Sequence, residues 1–274
     1  MDYILYLLIF CIGTVFGSFF TLAVYRIPLR QDITHTRSYC PKCNHKLSFW
    51  DMIPILSYMF LGGKCRYCKD KIRPRYLLLE VLSGLVFVLF ALSIKFSIFT
   101  LSVSTAMYII IGLLYIATLF ITAGIDKENL KIEKPVLLFG FICVTIYMIY
   151  LYVVEKDPSI YRYVIYLILV CLLIAINTLY LRKKIKSSYA IDILLLAILM
   201  TTFTYEVVSI YTIIITLLAV AIQTLLHKLE DRKTKRKCIK IDKKEYNKIP
   251  IAFYMCTANI FTMIIANLYI FYIL

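Results

Sequence analysis

The chain has 274 residues, 62% of them hydrophobic and only 17% charged, and a formal net charge of +15. A soluble domain carries roughly half apolar and a quarter charged residues, so this balance argues against a soluble globule and for a membrane protein. The excess basicity raises the question of a nucleic-acid partner, which the positions of the charges answer.

A hydrocarbon core about 30 Å thick takes roughly 20 apolar residues per helical span. Stretches of that kind occur at residues 3–24, 77–94, 98–123, 135–154, 161–181, 188–205, 207–226 and 250–273. The expected fold is therefore all-α and polytopic, with about eight transmembrane helices. The first stretch has no basic leading region and runs into Tyr25-Arg26-Ile27-Pro28 without a small-residue cleavage pattern, which reads as a helix and not a signal peptide.

Of the 31 Lys and Arg residues, 28 lie in four loops, at 25–76, 124–134, 182–187 and 227–249. The other three, Lys95, Lys156 and Arg162, fall at turns on the opposite side. The positive-inside rule then puts the basic loops in the cytoplasm and both termini outside, in the plasma (inner) membrane. Basic runs such as Arg232-Lys233-Thr234-Lys235-Arg236-Lys237 read as orientation signals that also touch lipid headgroups, so membrane lipids are expected partners and nucleic acid is not.

The loop from 25 to 76 is the one sizeable hydrophilic insertion. It holds Cys40-Pro41-Lys42-Cys43 and Cys65-Arg66-Tyr67-Cys68, two Cys-x-x-Cys knuckles separated by 21 residues. Each knuckle turns two thiolates toward one point, and four thiolates complete a closed tetrahedral Zn²⁺ site with no open position for catalysis. A structural, zinc-ribbon-like loop is expected. Two disulfides are the competing reading, which a reducing cytoplasm disfavours. Cys11, Cys143, Cys171, Cys238 and Cys256 stand singly and read as small hydrophobes. His45 is a weaker ligand candidate because four cysteines already fill the tetrahedron, and His35 and His227 read as ordinary loop histidines.

Ionisable groups at membrane depth are costly and therefore candidates for function. Asp126 follows Ile121-Thr122-Ala123-Gly124-Ile125 at the cytoplasmic end of the third stretch, and Asp192 lies about one turn into the sixth. Helices of opposite direction bring the two to a similar depth, where they can share one proton. That is the requirement of an aspartic peptidase. The competing readings are a solvated helix-end acid beside Lys127, for Asp126, and Glu80 as the carboxylate partner.

Along the chain stand Gly17-Ser18-Phe19, Arg26-Ile27-Pro28, Ser38-Tyr39-Cys40-Pro41-Lys42-Cys43, Asp51-Met52-Ile53-Pro54, Gly63-Lys64-Cys65-Arg66-Tyr67-Cys68 and Arg73-Pro74-Arg75-Tyr76 up to Glu80, then Ile125-Asp126 and Lys248-Ile249-Pro250-Ile251-Ala252-Phe253. This ordered set resembles the bacterial type IV prepilin peptidases, membrane aspartic endopeptidases of the Gly-x-Gly-Asp class. The resemblance implies Asp126 and Asp192 as the catalytic pair. It departs at the second motif, where Gly-x-Gly-Asp-x-Lys is matched by Tyr189-Ala190-Ile191-Asp192-Ile193-Leu194, with the aspartate but neither glycine nor the lysine. The implied substrates are type IV prepilin or pseudopilin precursors, cut behind a short basic leader at the cytoplasmic face. Many members also methylate the freed amino group with S-adenosylmethionine, for which this sequence shows no fingerprint. The expected division is residues 1–76, first helix plus zinc loop, and 77–274, peptidase domain. A diverged, non-catalytic membrane assembly factor is the alternative, and a zinc-ribbon transporter ranks last.

Overall fold

The computed structural model describes residues 2–33, 37–40, 42–97, 99, 102–156, 189–204, 206–236 and 249–273, together with six positions between 164 and 175. All but those six positions of the expected span at 161–181, and the Arg182-Lys183-Lys184 cluster, His35, Lys248 and Cys238, lie outside the described residues, as does the side chain of His227.

The elements in order are α1 (Asp2–Arg26), a 3-10 turn (Phe49–Met52), α2 (Leu56–Phe60), α3 (Arg75–Ser93), α4 (Val103–Asn129), α5 (Lys134–Tyr150, prolonged by a π-helical turn Leu151–Glu155), α6 (Tyr189–Phe203), α7 (Glu206–Arg236) and α8 (Ile251–Tyr272). Among the described residues six helices are long and apolar enough to cross a membrane. Helix α6 is also apolar but has 15 residues, about 22 Å at 1.5 Å per residue. Long apolar side chains such as Leu7, Ile12, Leu217 and Leu218 point outward, the arrangement expected where lipid and not water is the solvent. The chain is thus an all-α, multi-pass membrane protein. Its residues group into two compact units, Met1–Leu113 with Asn267–Leu274, and Leu114–Ala266.

In the first unit α1 and α3 pack backbone to backbone. A Cβ added at Gly13 would lie 2.8 Å from Gly84 Cα and 2.9 Å from the Ser83 carbonyl, and one at Gly17 would lie 2.8 Å from Glu80 Cα and 3.0 Å from the Leu79 carbonyl. Gly13 and Gly17 are four residues apart, so both lie on one helix face and form a small-xxx-small contact. Ser83 Oγ then donates across the interface to the Gly13 carbonyl at 2.8 Å. After α1 the buried Arg26 donates to the backbone carbonyl of Asp32 at 2.9 Å and lies over the Tyr39 ring, which turns the chain into the loop. Glu80, five residues into α3, accepts the Ile55 N–H at 2.8 Å. That bond pins the start of α2, where Ile55 has a φ of 60°, an unfavourable value for a β-branched residue.

In the second unit polar side chains from distant positions converge. Tyr115 donates to Asn259 Oδ1 at 2.7 Å, Asn259 Nδ2 donates to Thr212 Oγ1 at 3.2 Å, and the Thr212 and Thr262 hydroxyls lie 2.9 Å apart. All four residues are buried. Each bond satisfies groups that lipid cannot, and bonds of this kind contribute about 0.6 kcal/mol each on average. Gly140 admits the Leu199 and Thr118 side chains, each of which would lie 2.9 Å from a Cβ added there, and this close approach seats α5 between α4 and α6.

Candidate active site and four-cysteine cluster

Helix α4 runs to Asn129, so Asp126 lies in its last turn and not beyond it. Lys127 and Glu128 are good helix formers that carry the helix on, until Leu130 takes a φ of 53° and ends it. Asp126 is fully buried, which rules out the solvated helix-end reading. Its neighbour Lys127 turns elsewhere, with Nζ 4.7 Å over the Phe253 ring.

What holds Asp126 comes from two other helices. Pro250 immediately precedes α8, and the first N–H groups of a helix have no partner within it. The Phe253 N–H donates to Asp126 Oδ2 at 2.9 Å. The Tyr189 hydroxyl, from the first residue of α6, donates to Asp126 Oδ1 at 2.7 Å and accepts the Ile251 N–H at 3.1 Å. A carboxylate therefore sits at a helix N-terminus, where aligned peptide dipoles favour an anion. Asp192 is three residues beyond Tyr189 on α6, on the same face and one turn along, and is 5% exposed. The first turn of α6 thus carries both Tyr189, which bonds to Asp126, and a second buried carboxylate, Asp192.

Glu80 is committed to the Ile55 N–H, a docking contact for α2. Glu206 stands at the first residue of α7. Sequence reading missed Tyr189 and the Phe253 N–H as partners of Asp126; the available signals were a hydroxyl three residues before Asp192 and a proline marking the start of α8.

In the loop, the sulfurs of Cys40, Cys43, Cys65 and Cys68 all lie within 4.8 Å of one another. A tetrahedral site with metal–sulfur bonds of about 2.3 Å has sulfur–sulfur edges of about 3.8 Å. The Cys40 and Cys68 sulfurs are 3.8 Å apart, and no disulfide joins these cysteines. The two knuckles repeat one geometry. The Asn44 N–H bonds to the Cys40 carbonyl at 2.8 Å and the Lys69 N–H to the Cys65 carbonyl at 3.0 Å. Asn44 and Lys69 both take left-handed φ values, 54° and 60°, and the pairs Tyr39–Lys46 and Lys64–Lys71 close each knuckle as a β-bridge. Burial pushes the Cys40 thiol up, but the N–H groups of Cys43 and Lys42 and the neighbouring sulfurs outweigh it and bring it down to about 7. Cys68 moves the other way: the Asp70 N–H lowers its thiol, but burial and the neighbouring sulfurs together outweigh it and push it up to about 12, so the four sulfurs titrate as one coupled set. His45 stays out of the cluster and stacks on Tyr67, ring centroids 3.6 Å apart. Asp51 ties the second knuckle down by accepting from Arg66 Nε at 2.6 Å while accepting from the Ser48 N–H at 3.1 Å.

Fold and site together define a multi-pass membrane protein with two buried aspartates at neighbouring helix ends and a four-cysteine loop able to hold a metal such as zinc. The bacterial peptidase A24 N-terminal domain matches residues 11–94. A prepilin leader peptidase/N-methyltransferase of Vibrio cholerae is 33% identical over 157 residues, 53% of this chain and 58% of the relative. The proteins of that name from Bacillus subtilis and Myxococcus xanthus are 33% identical over 132 residues (48% of this chain, 50% of the relative) and 43% identical over 79 (29% and 24%). Over about half its length the chain is similar to these prepilin leader peptidases, and its own helices make it a multi-pass membrane protein. It spans about half the length of the curated relatives it matches. No solved structure matches it.

Proposed function

We propose that the chain is a membrane aspartic endopeptidase that removes the leader from type IV prepilin or pseudopilin precursors at the cytoplasmic face, with Asp126 and Asp192 as its catalytic pair. The observation that carries this reading is the fully buried Asp126, held by the hydroxyl of Tyr189, the first residue of the helix that bears Asp192, and by the Phe253 N–H at the start of α8. One ionised carboxylate takes a proton from water as the water oxygen bonds to the scissile carbonyl carbon, and the protonated partner delivers its proton to the carbonyl oxygen. On collapse of the tetrahedral intermediate a gem-diol hydroxyl returns its proton to the carboxylate that donated it, the C–N bond breaks, and the leaving nitrogen takes the proton that the other carboxyl drew from water.

The same reading places the basic loops in the cytoplasm against lipid headgroups and both termini outside, and treats residues 1–76 and 77–274 as the metal-loop part and the peptidase part. Cys40, Cys43, Cys65 and Cys68 would hold a structural Zn²⁺, whose tetrahedral bonds would tie the two knuckles together. Methyl transfer from S-adenosylmethionine to the new N-terminus is drawn from the relatives' name, and no residue is assigned to that donor. Incubating the purified protein with a prepilin peptide, with and without S-adenosylmethionine, and reading product masses tests both activities. Release of an intact leader fragment is expected, and an uncut peptide beside a processed control would overturn the reading.

A further inference from the structure

The second motif of the chain has Tyr189 where a glycine would leave open space, and the structure gives that side chain a task. Its hydroxyl sits at the meeting point of α4, α6 and α8. The single hydroxyl proton goes to Asp126 Oδ1 at 2.7 Å, and a lone pair receives the Ile251 N–H at 3.1 Å. The other carboxylate oxygen of Asp126 receives the Phe253 N–H at 2.9 Å. Rotation of the Asp126 carboxyl group would break both of its bonds at once, so its plane is fixed relative to α6 and α8. A carboxylate oxygen has two lone pairs, and each oxygen keeps one after these bonds, enough to accept a proton from water.

We propose that Tyr189 is a positioning residue of this site, a phenol that clamps Asp126 to the N-terminus of α8 in the orientation needed for proton transfer. The proposal rests on the aspartic peptidase reading. Tyr189 stands at the first of the two glycine positions of the motif. A donor on α6 fixes the carboxylate, and the tyrosine that supplies it is part of the site rather than an obstruction in it. Positioning groups that are held by packing and a second bond act on the chemical step more than on substrate affinity.

The test uses the full-length protein in detergent or vesicles with a prepilin peptide. Tyr189→Phe keeps the ring and removes only the hydroxyl, with Tyr189→Leu as a second hydroxyl-free variant should the first fold poorly. Loss of a hydrogen bond to a charged group corresponds to roughly a 10- to 100-fold effect, expected here in kcat with KM unchanged. In parallel, Tyr189→Phe should lower the unfolding temperature in the wild-type background and much less in Asp126→Ala, because the bond is then already gone. A hydroxyl-free variant with wild-type or higher kcat, or an equal temperature loss in both backgrounds, overturns the proposal and leaves the peptidase reading intact. A wild-type protein that releases no leader overturns the peptidase reading itself, and the proposed role with it.

Discussion

Asp126 accepts two hydrogen bonds from buried donors, so replacing it should disturb stability in a graded way that depends on which acceptors survive. Asp126→Ala removes both oxygens and strands the Phe253 N–H and the Tyr189 O–H. An unsatisfied buried donor costs about 1–3 kcal/mol. The tyrosine can turn its proton elsewhere, whereas the backbone N–H cannot, which puts the loss near the middle of a range of about 2–4 kcal/mol. Asp126→Asn keeps one acceptor. Its oxygen can face the Phe253 N–H while its amide donates to the Tyr189 oxygen, which surrenders only the O–H bond and costs about 1 kcal/mol. Reversible unfolding of the purified protein in mixed micelles reads both. The order wild type, Asn, Ala is expected. Equal stability of all three would refute the claim that Asp126 joins these helices, whatever its chemical role.

Gly17→Ala places a methyl group against the α3 backbone at 2.8–3.0 Å and should destabilise by about 1–3 kcal/mol, whereas Gly62→Ala, with nothing within 4 Å but a φ of 59°, should cost only about 1 kcal/mol of backbone strain; the same unfolding assay distinguishes them. Cys40→Ser or Cys65→Ser should lower folded yield and bound zinc together, and metal analysis of the wild type with no near-stoichiometric zinc would contradict the assignment. Burial pushes the Asp51 carboxyl up, but bonds from Arg66 and Ser48 override it and hold it below the ordinary carboxylate value. Stability from a depressed acid is present above its unfolded value of about 3.9 and is lost as pH falls through the lower folded value. Trp50, the one tryptophan of the chain, adjoins Asp51 and reports that loss by its emission. Arg66 is half exposed, so the effect should stay within about 1 kcal/mol. Superimposable acid titrations of wild type and Asp51→Asn would sink this account.

What the sequence made legible was whatever depends on local pattern. Apolar length located the described long helices, and paired cysteines located the cluster of four sulfurs. What it hid depends on contacts between distant positions. Tyr189 and Asp126 are 63 residues apart and Phe253 and Asp126 are 127 apart, so no local period reports their bonds. Helix ends were hidden for a related reason. Helix α4 continues through charged residues to Asn129 and α7 continues to Arg236, because Lys, Glu and Arg are good helix formers and hydropathy alone cannot see past the apolar stretch. The Glu80 bond to Ile55 is likewise a tertiary contact, and it turned a candidate catalytic carboxylate into the dock for α2.

The central claim is that Asp126 and Asp192 act as one catalytic pair. Rates of leader removal from a prepilin peptide by wild type, Asp126→Asn, Asp192→Asn and the double variant, each confirmed as folded, test it most directly. Residues that act as a unit are not additive, so either single variant should abolish cleavage as completely as the double. Substantial cleavage by either single variant would contradict the account.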